Sequence, residues 1–124
     1  MNNQEFFDKT ARHLLTQRAH SKAIYNPEFS ALPCCAYRGD GGRKCAIGCL
    51  IPDDYYYKEM EGKTIFTLID EYSAMAMIFR GVNKYLADKV QKIHDSLPVA
   101  EWKSELKSTG KYYLLDVAVL EEFP

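Results

Sequence analysis

No stretch of this 124-residue chain approaches the roughly 20 apolar residues that a bilayer crossing requires. Its longest apolar runs, Tyr72–Phe79 and Cys45–Pro52, are far too short. The N-terminus, MNNQEFFDKTARHLL, lacks the basic head and apolar core of a secretory leader. Neither sign of charge dominates. Formal net charge is -1, with eight basic and eight acidic residues in 1–62 and eight basic and nine acidic in 63–124. The basic surplus of a duplex binder and the acidic surplus of a DNA mimic are both missing, which leaves nucleic-acid binding only a local patch to work with. There is no internal repeat, linker or low-complexity tract. The expectation is one domain spanning 1–124, without a membrane partner, in a reducing cytoplasm where cysteines stay thiols unless they bind metal.

What is present is mostly helical in pattern, with 47% hydrophobic and 27% charged residues. Asn2 followed by Glu5 reads as a capping box. Phe7, Ala11, Leu14 and Leu15 then recur on one helical face, which predicts a helix over roughly Gln4–Arg18. Residues 19–33, bracketed by Pro27 and Pro33, lack periodicity and read as irregular. Three further stripes follow: Ile65, Leu68, Ile69, Tyr72, Ala76 and Phe79, ending at Gly81; Leu86, Val90, Ile93 and Leu97, ending at Pro98; and Val99, Trp102 and Leu106, with Pro98 in the first turn and Gly110 as the stop. Trp102 belongs to the core. Residues 112–123 suit either strand or helix. The expected fold is mainly α: a compact single helical domain with a short Cys/Gly-rich hairpin or loop element.

That element, Cys34–Asp54, holds all four cysteines, a glycine turn and three basic residues. Cys35–Arg38 and Arg43 onward form either a hairpin across Gly39–Gly42 or a loop leading to a short helix at Cys45–Ile51; the lack of alternation favours the helix. Cys35, Cys45 and Cys49 are candidate zinc ligands, but one C-x3-C and an adjacent pair differ from the paired short knuckles of structural zinc sites. Neighbouring residues in an extended segment also face opposite ways. Buried thiol packing is therefore preferred, no cofactor is expected, and zinc is kept as the alternative. Arg38, Arg43 and Lys44 flank the glycine turn and form a candidate anion site for a phosphate-bearing ligand, although the G-x-x-x-x-G-K-[ST] order is lacking.

His94-Asp95 has the form of a phosphohydrolase metal pair, with His13, His20 and Asp116 as nominal companions; the simpler reading puts His94 at a helix edge near the C-terminal dipole. Asp53, Asp54, Glu59 and Glu61 read as a solvated acidic loop around Tyr55, Tyr56 and Tyr57. These tyrosines cannot all point inward, and exposed ones are candidate anchors for a partner protein.

The segment C-A-Y-R-G-x-G-G-x-K-C-A-I-G-C-L-I-P-D-D, followed by Y and M-E-G, resembles a family of small proteins encoded in tailed-phage and prophage genomes. The likeness extends to I-H-D at 93–95 and E-W at 101–102. It implies a viral or mobile-element origin and a compact helical domain, and it carries over no activity and no catalytic residue. The expected function is that of a phage accessory protein in the host cytoplasm. It would bind a host protein or complex, inhibiting or redirecting a defence or nucleic-acid-processing assembly. The alternative is a nucleotide-, phosphate- or metal-binding protein with hydrolase activity centred on the Cys/Arg segment.

Overall fold

In the computed structural model, which describes residues 1–124, five α-helices surround one core, joined by short 3-10 turns and a single pair of two-residue strands. Helix α1 spans Asn3–Gln17. The Asn2 side chain accepts the Glu5 N–H at its start, and Arg18 adopts the left-handed conformation at its end, returning its N–H to the Leu14 carbonyl. Its buried face presents Phe6, Phe7, Thr10, Ala11, Leu14 and Leu15.

The stripe from Ile65 to Phe79 forms two helices, α2 (Ile65–Glu71) and α3 (Ser73–Ile78). They are separated by Tyr72, whose extended backbone ends one and begins the other. Thr64 caps α2 through the Thr67 N–H. Leu68 and Met75, seven residues apart, both reach the core despite this break. Helix α4 (Lys84–Ser96) is capped by Asn83, which accepts from the Tyr85 and Leu86 N–H groups, and buries Leu86, Ala87, Val90, Ile93 and His94. Pro98 holds Leu97 extended and so ends α4. Helix α5 (Val99–Tyr112) begins directly behind it and packs on α4, while α1 touches both.

Gly110 does not stop α5. A Cβ there would lie 2.9 Å from the Phe7 ring and 2.6 Å from the Val117 side chain, so the glycine permits close packing instead. The helix ends at Tyr112, and the chain reverses with Leu114 at φ 59°. Beyond Tyr112, residues 113–123 are neither strand nor α-helix. They end in a 3-10 segment, Ala118–Glu122, which lays Val119 and Leu120 against α1.

The Cys/Gly-rich element is a loop with a small sheet at its entry. Cys34–Cys35 (β2) pairs antiparallel with Lys22–Ala23 (β1), so the strand partner comes from the segment read as irregular and not from across the glycines. The Gly39 N–H still bonds the Arg43 carbonyl at 2.9 Å, closing the turn. Gly41 and Gly42, at φ 70° and 74°, supply the left-handed conformations it needs. Cys45–Ile51 makes one helical turn that tightens to 3-10 at Gly48–Leu50. None of the helices is long and apolar enough to cross a membrane.

Candidate functional site

The charges of the Cys/Gly-rich segment turn inward to hold the segment itself. Arg38 sends one guanidinium nitrogen to the Gly48 carbonyl and another to that of Ile51, both at 2.6 Å. The second nitrogen also meets Asp53 at 3.0 Å, and the guanidinium lies over the Tyr56 ring. A planar fork is well shaped for this, because it reaches two carbonyls of a tight turn at once: that of Ile51, and that of Gly48, which also accepts the Ile51 N–H at 3.2 Å. Glu61 faces it from the other side. Its carboxylate accepts the N–H groups of Tyr37 (2.8 Å) and Arg38 (3.1 Å) and the Tyr56 hydroxyl (2.7 Å). Glu61 is thus tied into the structure, whereas Asp53, Asp54 and Glu59 are exposed as the loop reading expected.

Two of the three members of the candidate anion site converge, on a carboxylate of the chain itself: Arg38 and Lys44 reach Asp53 Oδ1 at 3.0 and 3.9 Å. Arg43 points to a separate open, polar surface lined by Arg12, His13, Gln17, Gly41 and Gly42, where Arg12 is already held by Glu122 at 2.9 Å.

The sulfurs also go their own ways. The buried Cys45 Sγ accepts the Gly48 N–H at 3.3 Å, the Cys49 thiol donates to the Ala46 carbonyl at 3.1 Å, and the Cys35 thiol faces the Asp95 carbonyl at 3.8 Å. Burial raises each thiol pKa: Cys35 to about 11, with Asp95 adding to the effect; Cys49 to about 12, against the pull of Lys44 and Arg38; and Cys45 further still. All four cysteines are free thiols.

One grouping of ligand-type atoms does form: Cys35, His94 and Asp95, with one atom from each lying within 4.8 Å of the others. Sequence reasoning had not joined Cys35 to this pair. His94 is fully buried in the last turn of α4, not at its edge. Its Nε2 lies 2.9 Å from the Ser21 N–H, which can only donate. The remaining ring proton therefore sits on Nδ1 and goes to Asp95 Oδ1 at 2.7 Å. A metal on Nδ1 would move that proton to Nε2, facing another N–H. The imidazole is thus poorly disposed as a ligand, leaving one thiol and one carboxylate where a structural zinc takes four ligands. Of the nominal companions, only His20 is near: its ring meets those of His94 and Trp102 edge-on, and its Nε2 donates to the Leu97 carbonyl. His13 bonds the Lys44 carbonyl, and Asp116 lies beside Gln4.

Cys35 and Asp95 lie on the wall of a cleft with a cavity volume of about 320 Å³. Tyr25, Phe29 and Tyr37 contribute aromatic walls, Gln91 and Lys92 come from α4, and Lys63 and Thr64 come from the entry to α2. The Tyr37 hydroxyl donates to the Lys63 carbonyl and, being buried, is held well above the usual tyrosine range. Tyr25 also borders a second, shallower hollow with Asn26, Lys58, Glu59 and Glu61. The 24–33 loop, which contributes Tyr25 and Phe29 to the cleft, exposes Ile24, Phe29 and Leu32.

The three tyrosines divide. Tyr56 is half-buried under Arg38, whereas Tyr55 and Tyr57 are about half exposed, Tyr57 stacking on Tyr72 with ring centres 5.9 Å apart. Sequence pattern missed Tyr25, Phe29, Gln91 and Lys92; only the i, i+4 spacing of Gln91 and Asp95 on α4 hinted at a polar patch there. Comparison of the chain with protein-family models, curated proteins and solved structures finds no match.

Proposed function

We propose that the protein acts by binding a partner protein, which it holds against the cleft at Cys35 and Asp95 and against the exposed side chains of Phe29, Leu32 and Tyr57. One observation carries this reading. The cleft of about 320 Å³ opens beside an exposed loop with two large apolar side chains, Phe29 at 77% and Leu32 at 74% exposure. Exposed apolar groups clustered at a concave mouth favour covering by another surface. Catalysis is the weaker reading, because burial keeps the nearby thiols and the Tyr37 hydroxyl protonated at neutral pH and the ring nitrogens of His94 are both engaged. The likeness of Cys35–Gly62 to phage-encoded segments makes the proposed partner a host macromolecule whose action the protein inhibits or redirects.

The test places a photo-crosslinking residue at 29 or 57 and, as controls, at the exposed positions 104 and 107 of α5. The reading expects the same identified protein at 29 and 57 only, and expects its purified form to bind wild type more tightly than Phe29→Ala. Equal labelling from all four positions, or an affinity unchanged in Phe29→Ala, would remove it.

A further inference from the structure

The cleft is bordered by a solvent-exposed carboxylate, Asp95, that has no cationic partner in the chain. Both hydrogen bonds to Asp95 fall on Oδ1, from His94 Nδ1 at 2.7 Å and Gln91 Nε2 at 2.8 Å, and both donors are neutral groups given the tautomer fixed by Ser21. No nitrogen or oxygen donor holds Oδ2. The two cationic residues lining the cleft are already matched: Lys92 pairs with Asp88 at 2.8 Å, and Lys63 pairs with Glu71 while lying over the Tyr72 ring. Lys22, opposite Cys35 in the two-stranded ladder, is exposed and forms no ion pair with Asp95. The cleft thus combines one unmatched anion with the aromatic walls of Tyr25, Phe29 and Tyr37.

Cations are held in this way, with the charge on the carboxylate and the flat or methylene part on the rings. A guanidinium suits the site better than an ammonium. It is planar, stacks on aromatics, is more weakly hydrated, and can reach carboxylate and carbonyl oxygens in one plane. We propose that the cleft receives an arginine side chain presented by the partner protein. This deepens the binding reading above and rests on it. The exposed apolar loop argues for a side chain over a free amine, because Phe29 and Leu32 offer contact area beyond the cleft that only a larger partner would cover.

The probe is Nα-acetyl-arginine amide, titrated into the native protein by calorimetry at low salt. Wild type should show saturable binding that weakens as salt rises. Asp95→Asn should weaken it roughly tenfold, and Lys22→Gln, by removing a positive charge opposite Cys35 that repels an incoming guanidinium, should tighten it by about two- to threefold. Should Asp95→Asn fail to fold, Lys22→Gln and Phe29→Ala, both at exposed positions, carry the test with effects of opposite sign. Absence of saturable binding, equal affinity in the folded Asp95→Asn, or looser binding in Lys22→Gln overturns the proposal. So does tighter binding of putrescine, which would mark a small-amine site, or burial of the cleft by self-association in sedimentation. Crosslinks from positions 29 and 57 that persist when the arginine probe fails would sink the anchor and leave the docking face standing. Loss of those crosslinks would sink the face.

Discussion

Replacing Arg38 by alanine removes the fork that holds the Cys45–Asp53 turn. The side chain is only 18% exposed and serves the carbonyls of Gly48 and Ile51, both at 2.6 Å. Hydrogen bonds to a charged donor contribute about 1.5–3 kcal/mol each, and their loss leaves two carbonyls without that donor. Taking the low end for both gives a loss of about 3 kcal/mol. Tyr56 under the guanidinium adds about 0.5–1 kcal/mol. Asp53 adds little, since it is 84% exposed and solvent screens the pair. The expected destabilisation of Arg38→Ala is thus about 3–4 kcal/mol, a large share of the 5–15 kcal/mol typical of a folded domain. Arg38→Lys should recover roughly half, because an ammonium reaches one carbonyl well and cannot fork. Urea unfolding followed by Trp102 fluorescence measures both. A loss below about 1 kcal/mol for Arg38→Ala would refute the assignment and return Arg38 to the surface as a free ligand group.

Other residues yield equally direct tests. Gly48→Ala would put a Cβ 2.2 Å from the Tyr37 carbonyl oxygen, in backbone that cannot easily retreat, so a loss of about 3 kcal/mol is expected in the same urea assay. Thr109, whose buried hydroxyl has no partner, should accept Thr109→Val at no cost or with a gain of up to about 1 kcal/mol in thermal melts. The folded chain keeps protons on Cys45 and Cys49 that the unfolded chain gives up above the ordinary thiol value of 9.0, so stability is full below pH 9 and falls as pH climbs toward about 12. Each such group contributes about 1.4 kcal/mol per pH unit within that window, about 2.7 kcal/mol for the pair, and a flat urea midpoint between pH 9.5 and 10.5 would contradict it. Under native conditions at pH 8 a disulfide reagent should titrate Cys34 first, with Cys35 slow until pH approaches about 11 and Cys45 reacting only on unfolding.

Helix α1 was legible because it is written twice, in the Asn2 cap and in the Phe7–Leu15 stripe, and α4 and α5 were legible from the stripes Leu86–Leu97 and Val99–Leu106. The break at Tyr72 was not, since Leu68 and Met75 keep the periodicity while the backbone between them turns. Gly110 misled for a related reason. A glycine signals a helix end only when its conformation is the constraint, and here the constraint is the Phe7 ring against its Cα. In the Cys/Gly-rich segment, residue type pointed toward ligands, but Arg38, Glu61 and the Cys35 thiol are engaged by backbone groups brought from 10 to 60 positions away. Long-range backbone partners leave no local pattern. The cleft is hidden in the same way, because Tyr25, Cys35, Lys63 and Asp95 come from four separate segments.

The central claim is that the cysteine, glycine and arginine segment serves the architecture and that recognition belongs to the cleft beside it. Mapping backbone amide shifts by heteronuclear NMR, during titration first with Nα-acetyl-arginine amide and then with inorganic phosphate, tests this most directly. The account predicts that the arginine probe moves Tyr25, Cys35, Gln91 and Asp95 together while phosphate leaves Gly39–Lys44 unmoved. Saturable phosphate shifts centred on Gly41–Lys44, with a silent cleft, would contradict it.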